Sequence, residues 1–347
     1  MLPTQKNQIG SSSVFVTQLG FGGGTLGDPT EVTTDEQAHA TLSAAWDRGL
    51  RYFDTAPWYG NTKSEHRIGQ FLRTKPRNEF VISTKVGRVY SRPKDIGKFK
   101  NESPWSKRWT GGLPFDLRFD FSYDGVMRSY EDSLNRLGIP DVNCLTIHDL
   151  DTRHQSNEAG VAEGFRQLEE GKGFKALQSL KDQAEIEAIG AGINLVGFIP
   201  RFVERFEMDY FLLAGPYTLL DQPALDKELP LCRDKNIGIV LGGVFASGIL
   251  ATGAVEGALY KYQRAEPDIL QKVRKITAIC SGHGVALSAA ALQFTLHHET
   301  VATVIPGANH PDKVISNFVQ MASDIPDDLW RELKHEGYLR EDAPTPG

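Results

Sequence analysis

The chain has 347 residues, 40% apolar and 24% charged, enough for a substantial buried core. Its net charge of −6 argues against nucleic-acid binding, which needs a basic face. Its three cysteines, Cys144, Cys232 and Cys280, are far apart and form no C-x-x-C pair, which argues against a disulfide framework or a zinc site.

In chain order, residues 1–13 are polar and lack the apolar core of a signal peptide. A first strand is predicted near 16–19. Residues 34–48 read as a helix: Gln37 follows Thr34 at capping-box spacing, and Ala38, Leu42, Ala45 and Trp46 recur at helical period. Strands are predicted at 52–54 and 80–85. Residues 89–123 then break the rhythm, rich in Pro, Gly, Lys and Trp and without a period. Trp105, Trp109, Phe115, Phe119 and Phe121 argue against disorder, so this segment reads as a structured insertion after the third strand. A helix over 124–137 carries Val126, Tyr130, Leu134 and Leu137 and stops at Gly138. Strands follow at 144–148, 188–193, 210–213, 238–241 and 301–305, with an alanine-rich helix at 288–297. Residues 340–347 are expected to be a loose tail.

The strands are near-continuous apolar runs alternating with helices, as in a parallel sheet covered on both faces. The expected fold is α/β, a (β/α)8 TIM barrel with a long insertion after the third strand, in one domain over 1–347. A doubly wound open sheet gives the same alternation. No run approaches the ~18 apolar residues of a membrane helix. A cytoplasmic protein without membrane or nucleic-acid partners is expected.

Three strand ends carry chemistry: Asp54 to Gly60, Ser83-Thr84-Lys85, and Ile147-His148-Asp149. In a barrel these face one pocket. Tyrosine is a poor proton donor or acceptor near its ordinary pKa of ~10, and a lysine ammonium nearby lowers that value. A carboxylate paired with the lysine keeps it in place. Asp54, Lys85 and Tyr59 supply that trio, and a neutral His148 is suited to orient a substrate oxygen. Singly, each has a plainer reading: Asp54 a cap or surface pair, Lys85 a solvated end, Tyr59 a turn aromatic, His148 a core histidine. Four such groups at successive strand ends are harder to explain as packing. No metal is needed.

The motif Asp54-Thr55-Ala56-x-x-Tyr59-Gly60 with Ser64-Glu65, the strand Ser83-Thr84-Lys85 and the pair Ile147-His148 together resemble the aldo-keto reductase family. The likeness runs from Leu19-Gly20-Phe21-Gly22 to Ile305-Pro306-Gly307. It implies a catalytic tetrad at Asp54, Tyr59, Lys85 and His148. The stretches Gly111 to Phe115, Phe121 to Ser129, Leu212 to Leu220 and Gly242 to Leu250 resemble the branch of D-threo-aldose 1-dehydrogenases (L-fucose and L-galactose dehydrogenases) and pyridoxal 4-dehydrogenases. The implied reaction moves hydride from the anomeric carbon of an aldose hemiacetal of the L-fucose, L-galactose or D-arabinose type to NAD(P). It gives a lactone, with Tyr59 as general base. Trp58, Tyr59 and His148 are the implied substrate contacts, and Trp105 and Trp109 are further platform candidates. Arg88 and Asp149 are candidates to reach polar substrate groups.

The resemblance also implies cofactor contacts at Gly23, Gly24, Thr25, Asp54 and Asn194, where the family's Ser-Asn pair reads Ile193-Asn194. Gly243, Phe245, Ser247, Gly248 and Leu250 match its pyrophosphate segment. Gly307, Asn309, Lys313 and Asn317 fall on its nucleotide-binding end. NADP-preferring members carry Lys at the position of Gly307 and Arg at that of Lys313. Losing the first cation and weakening the second implies NAD, with NADP possible. Three alternatives stand beside this reading. One is pyridoxal oxidation or general aldehyde reduction. Another is a barrel kept as a binding subunit. The last is an open Rossmann dehydrogenase, for which Gly20-Phe21-Gly22-Gly23-Gly24 imitates only the start of the fingerprint.

Overall fold

A computed structural model describes residues 1–346. Eight strands form one sheet in chain order: β1 (Phe21–Gly22), β2 (Tyr52–Asp54), β3 (Val81–Val86), β4 (Cys144–His148), β5 (Ala188–Ile193), β6 (Tyr210–Ala214), β7 (Gly238–Gly242) and β8 (Val301–Val304). All neighbouring pairs are parallel. Parallel bridges Leu19–Val304 and Gly22–Gly307 join the first strand to the last. The amide of Gly20 donates to Val304 O at 2.9 Å and that of Gly22 to Pro306 O at 3.2 Å. The sheet therefore closes into a barrel, and the open-sheet alternatives fall.

The first barrel strand is not the one predicted near 16–19. Phe15–Thr17 instead pairs antiparallel with Lys6–Gln8. This hairpin closes the N-terminal end of the barrel, where Ile9, Val14 and Val16 pack on Tyr52, Tyr210 and Val240. Alternation of exposed Phe15 with buried Val14 and Val16 makes a strand in either place, and only packing tells them apart. Gly10 has φ +52°, and a Cβ there would lie 2.4 Å from Gly238 N. Only glycine permits that approach of hairpin to β7.

Helix α1 (Asp35–Asp47) is capped by Thr34, whose hydroxyl accepts from Gln37 N at 3.1 Å. Helix α2 (Lys63–Leu72) follows the loop that carries Tyr59. The insertion after β3 is an antiparallel hairpin, Arg88–Ser91 with Asp116–Phe119, enclosing two short helices, Ile96–Glu102 and Pro104–Lys107. It is pinned to the barrel mouth: Gly111 N donates to Asp28 O and Leu113 N to Gly60 O at 2.9 Å. Lys63 Nζ bridges Asp28 Oδ2 at 2.7 Å and Gly111 O at 2.9 Å. Helix α3 (Tyr123–Leu137) ends at Gly138 with φ +64°, as its sequence predicts.

The C-terminal segment is packed rather than loose. Leu339 and Ala343 are buried, and Arg340 pairs with Asp226 and Asp342. Short side chains such as Ala343 gave no apolar period by which to foresee this. Among the described residues no single helix is long and apolar enough to cross a membrane.

Candidate active site

Asp54 ends β2, Lys85 lies near the end of β3, and His148 ends β4. The β2–α2 loop folds back to add Tyr59. Thr55 N donates to Ser83 O at 2.9 Å, and the Ser64 hydroxyl donates to Gly23 O at 2.8 Å. Gly60, at φ +68°, presses on Gly27 so closely that a Cβ would meet its carbonyl at 2.6 Å. The structure thus gathers all four residues at the C-terminal mouth of the barrel.

Lys85 Nζ donates to Asp54 Oδ1 at 2.8 Å, Asp54 Oδ2 at 2.7 Å and Thr55 O at 2.7 Å. Both side chains are almost wholly buried. An ammonium has three N–H donors, so all are engaged. Lys85 meets Tyr59 only through the ring, 5.0 Å from its centroid. Burial, then the charges of Asp54 and Asp149, push the Tyr59 phenol well above its ordinary value, and Arg88 opposes them. The expected net lowering of this pKa is therefore corrected, because burial outweighs the nearby cations. The charge of Lys85 is matched by Asp54, and its third donor is taken by a backbone carbonyl. Burial also raises the Asp54 carboxyl, against the pull of Lys85.

The His148 ring stands perpendicular to Tyr59, with centroids 5.8 Å apart. Burial holds its pKa well below the ordinary value, so the imidazole is neutral. His148 Nε2 lies 3.3 Å from Asp149 Oδ2, and the buried Nδ1 has no partner. Arg88 Nη2 donates to Asp149 Oδ2 at 3.0 Å. The Arg88 guanidinium lies 4.9 Å from the Trp58 ring centroid and 5.0 Å from that of Phe119. Trp58 is buried edge-on against Trp105 and Trp109, and Trp109 meets Tyr59 at 6.1 Å.

The remaining candidates separate into groups. Gly24 flanks the site: a Cβ there would sit 3.9 Å from Tyr59 Cζ. Gly23 is buried against Asp54 O and Ser64, a packing requirement. Thr25 donates to Ala308 O at 2.7 Å, and Gly307 leaves room for the Thr25 methyl. Asn309 donates to Glu31 at 2.6 Å and accepts from Lys313 Nζ at 2.6 Å. Asn317 lies apart, lining a crevice with Gly20, Leu50 and Pro306. In the loop after β7, Gly243, Ala246, Ser247 and Gly248 all have positive φ, while the Leu250 side chain belongs to the core and Phe245 packs against it. Ser247 Oγ accepts from Tyr262 N at 3.0 Å. Tyr262 stacks on Arg108 and Arg153, which sequence reasoning did not single out. Asn194 donates to Asp149 Oδ1 at 2.8 Å and Asp151 Oδ2 at 3.1 Å. Its partners were missed because 43 and 45 residues separate them from it.

The Aldo/keto reductase family model matches residues 18–335. The chain belongs to this family. A pyridoxal 4-dehydrogenase of Microbacterium luteolum is 37% identical over 97% of this chain and 98% of its own length. A D-threo-aldose 1-dehydrogenase of a Pseudomonas species is 35% identical over 97% of both chains. An L-galactose dehydrogenase of Arabidopsis thaliana is 25% identical over 91% of this chain and 88% of its own. Among solved structures, the holo form of an aldo-keto reductase from Bacillus halodurans superposes with a TM-score of 0.75 at 21% identity, covering 96% of each chain. This aldo-keto reductase is an oxidoreductase, similar in sequence to aldose and pyridoxal dehydrogenases.

Proposed function

We propose that this aldo-keto reductase oxidises the hemiacetal form of an aldose to its lactone, with Asp54, Tyr59, Lys85 and His148 as the catalytic group. The convergence of these four side chains at one barrel mouth carries the reading. A bound oxidised nicotinamide nucleotide supplies the hydride acceptor. Its holders are Gly24, Thr25, Asn194, the loop 243–250, Asn309 and Lys313. Gly24 fits the role because its missing side chain leaves space beside Tyr59. Asn194 fits because both its donors are engaged, which leaves its carbonyl oxygen as an outward acceptor.

Tyr59 takes the hydroxyl proton of the substrate, and neutral His148 orients the same oxygen. A phenol held as the neutral form makes oxidation favour alkaline conditions and makes Tyr59 a ready acid for reduction. NAD is the preferred nucleotide. Position 307 is Gly, and Lys313 is linked through Asn309 to the carboxylate of Glu31, which repels a 2′-phosphate.

A second reading, pyridoxal oxidation, is favoured by the 37% identical relative, whose name states that activity. Initial rates of NADH and NADPH formation across a panel of aldoses and pyridoxal at mildly alkaline pH decide between them. NAD-linked turnover of an aldose supports the first reading. Turnover of pyridoxal alone replaces it with the second.

A further inference from the structure

Asp149 sits directly after β4 in the left-handed region, with φ +53°. Its side chain is nearly buried, and each oxygen serves a different part of the site. Oδ2 accepts from Arg88 Nη2 at 3.0 Å and lies 3.3 Å from His148 Nε2. Oδ1 accepts from Asn194 Nδ2 at 2.8 Å. His154 adds a second imidazole, its Nε2 3.6 Å from Oδ2, while its Nδ1 lies 2.8 Å from Asp151 Oδ1. Asp149, Asp151 and His154 are near enough together to suggest a cation site. Yet Arg88 and Asn194 already aim N–H donors at these carboxylates, which describes a hydrogen-bond network instead. The buried Nδ1 of His148 faces no partner, and the charge of the Asp149 carboxylate 3.3 Å from Nε2 favours the ring proton there.

We propose that Asp149 is a positioning residue shared by both halves of the reaction. Through the charge on Oδ2, 3.3 Å away, it favours the ring proton of His148 on Nε2 without claiming that N–H, which stays free to orient the substrate oxygen. Through Oδ1 it fixes the Asn194 amide with its carbonyl oxygen outward, as a partner for the amide group of the nucleotide. The inference rests on the proposed function, since His148 and Asn194 take their roles from it. Arg88 anchors the arrangement from below. Burial opposes ionisation of Asp149, but His148, Arg88, His154 and Asn194 together hold its carboxyl well below the ordinary range. The charged groups around His148 are Asp149, Arg88, Lys85 and His154. The cations among them add to burial in keeping its ring neutral.

An amide in place of the carboxylate has one acceptor and one donor. Asp149→Asn must therefore present its NH2 group either to the Asn194 donor or to the Arg88 and His148 donors, and one branch loses its acceptor. Calorimetric titration of NADH and steady-state kinetics, with thermal melting as the folding check, separate the outcomes. Asp149→Asn is expected to weaken NADH binding or lower kcat by about tenfold, the usual consequence of an unsatisfied buried donor. The binding loss should vanish in an Asn194→Ala background, and the kcat loss in a His148→Gln background, as a double-mutant cycle requires for groups acting through one another. Additive losses, or none, overturn the proposal. Ring-nitrogen NMR of the unaltered chain, with His148 assigned through His148→Gln, tests the same point without Asp149 variants. A neutral ring protonated on Nε2 is expected, and one protonated on Nδ1 overturns it. If Tyr59→Phe and His148→Gln both retain full activity, the proposed function itself fails, which is a distinct result.

Discussion

At the N-terminal end of the barrel, the hairpin of residues 6–17 lays Ile9, Val14 and Val16 on Tyr52, Tyr210 and Val240. Towards the C-terminal end the interior holds Asp54, Lys85, Arg88, His148, Asp149 and Asp151. The first end gains stability from apolar area removed from water. The second buries charges that are tolerable only because each has a partner. A barrel with one dry end can keep a costly polar end in place. The two ends should therefore respond differently to substitution, with chemistry lost at one and stability at the other.

The sharpest way to break that comparison is Tyr59→Phe. Losing the proton-transfer group should lower kcat by about 10²–10⁴-fold, with NADH affinity preserved. A kcat near that of the parent enzyme would remove Tyr59 from the mechanism. Asp54→Asn should cost both activity and about 3–5 kcal/mol of stability, because the Lys85 ammonium would remain buried without its counter-charge. Urea denaturation reads the second loss. At the opposite end, Ile9→Ala should cost about 2–5 kcal/mol while leaving kcat unchanged, since the residue is fully buried in the hairpin that closes the N-terminal end. A large kcat effect there would mean the two ends are coupled.

The raised pKa of Tyr59 makes a pH prediction with a definite sign. The phenolate fraction rises about tenfold per pH unit below the pKa, so oxidation limited by this base should climb steadily from pH 7 towards 10. Reduction, which uses the protonated form, should not climb over that range. A plateau in oxidation starting near pH 7 would show a phenol far more acidic than its surroundings allow. The smallest effect is expected from Glu31→Gln, which should improve NADP over NAD by a few-fold in kcat/KM by removing a like charge near Lys313.

Much of the fold and the meeting of Asp54, Tyr59, Lys85 and His148 was legible in the sequence. Asp54, Lys85 and His148 lie at or near the ends of apolar runs, which a parallel barrel brings to one face, and Tyr59 follows Asp54 by five residues in the same motif. The errors have local causes. β1 has only two residues, too few to show a period, so the stronger pattern of the plugging hairpin was read in its place. The expected acidification of Tyr59 was outweighed by the burial of its phenol, which no side-chain pattern reveals. The Asp149 network draws on Arg88 and Asn194, 61 and 45 residues away, and only the closed barrel brings them together.

Of the five tryptophans in this chain, Trp58, Trp105 and Trp109 crowd around one another beside Tyr59. Trp46 packs instead on Phe71 and Phe80, and Trp330 near Phe294. Most of the indole absorbance therefore lies beside the proposed catalytic group. The enzyme carries its own optical reporter, and its ultraviolet emission should dim when a reduced nicotinamide arrives to accept the excitation, with no dye attached.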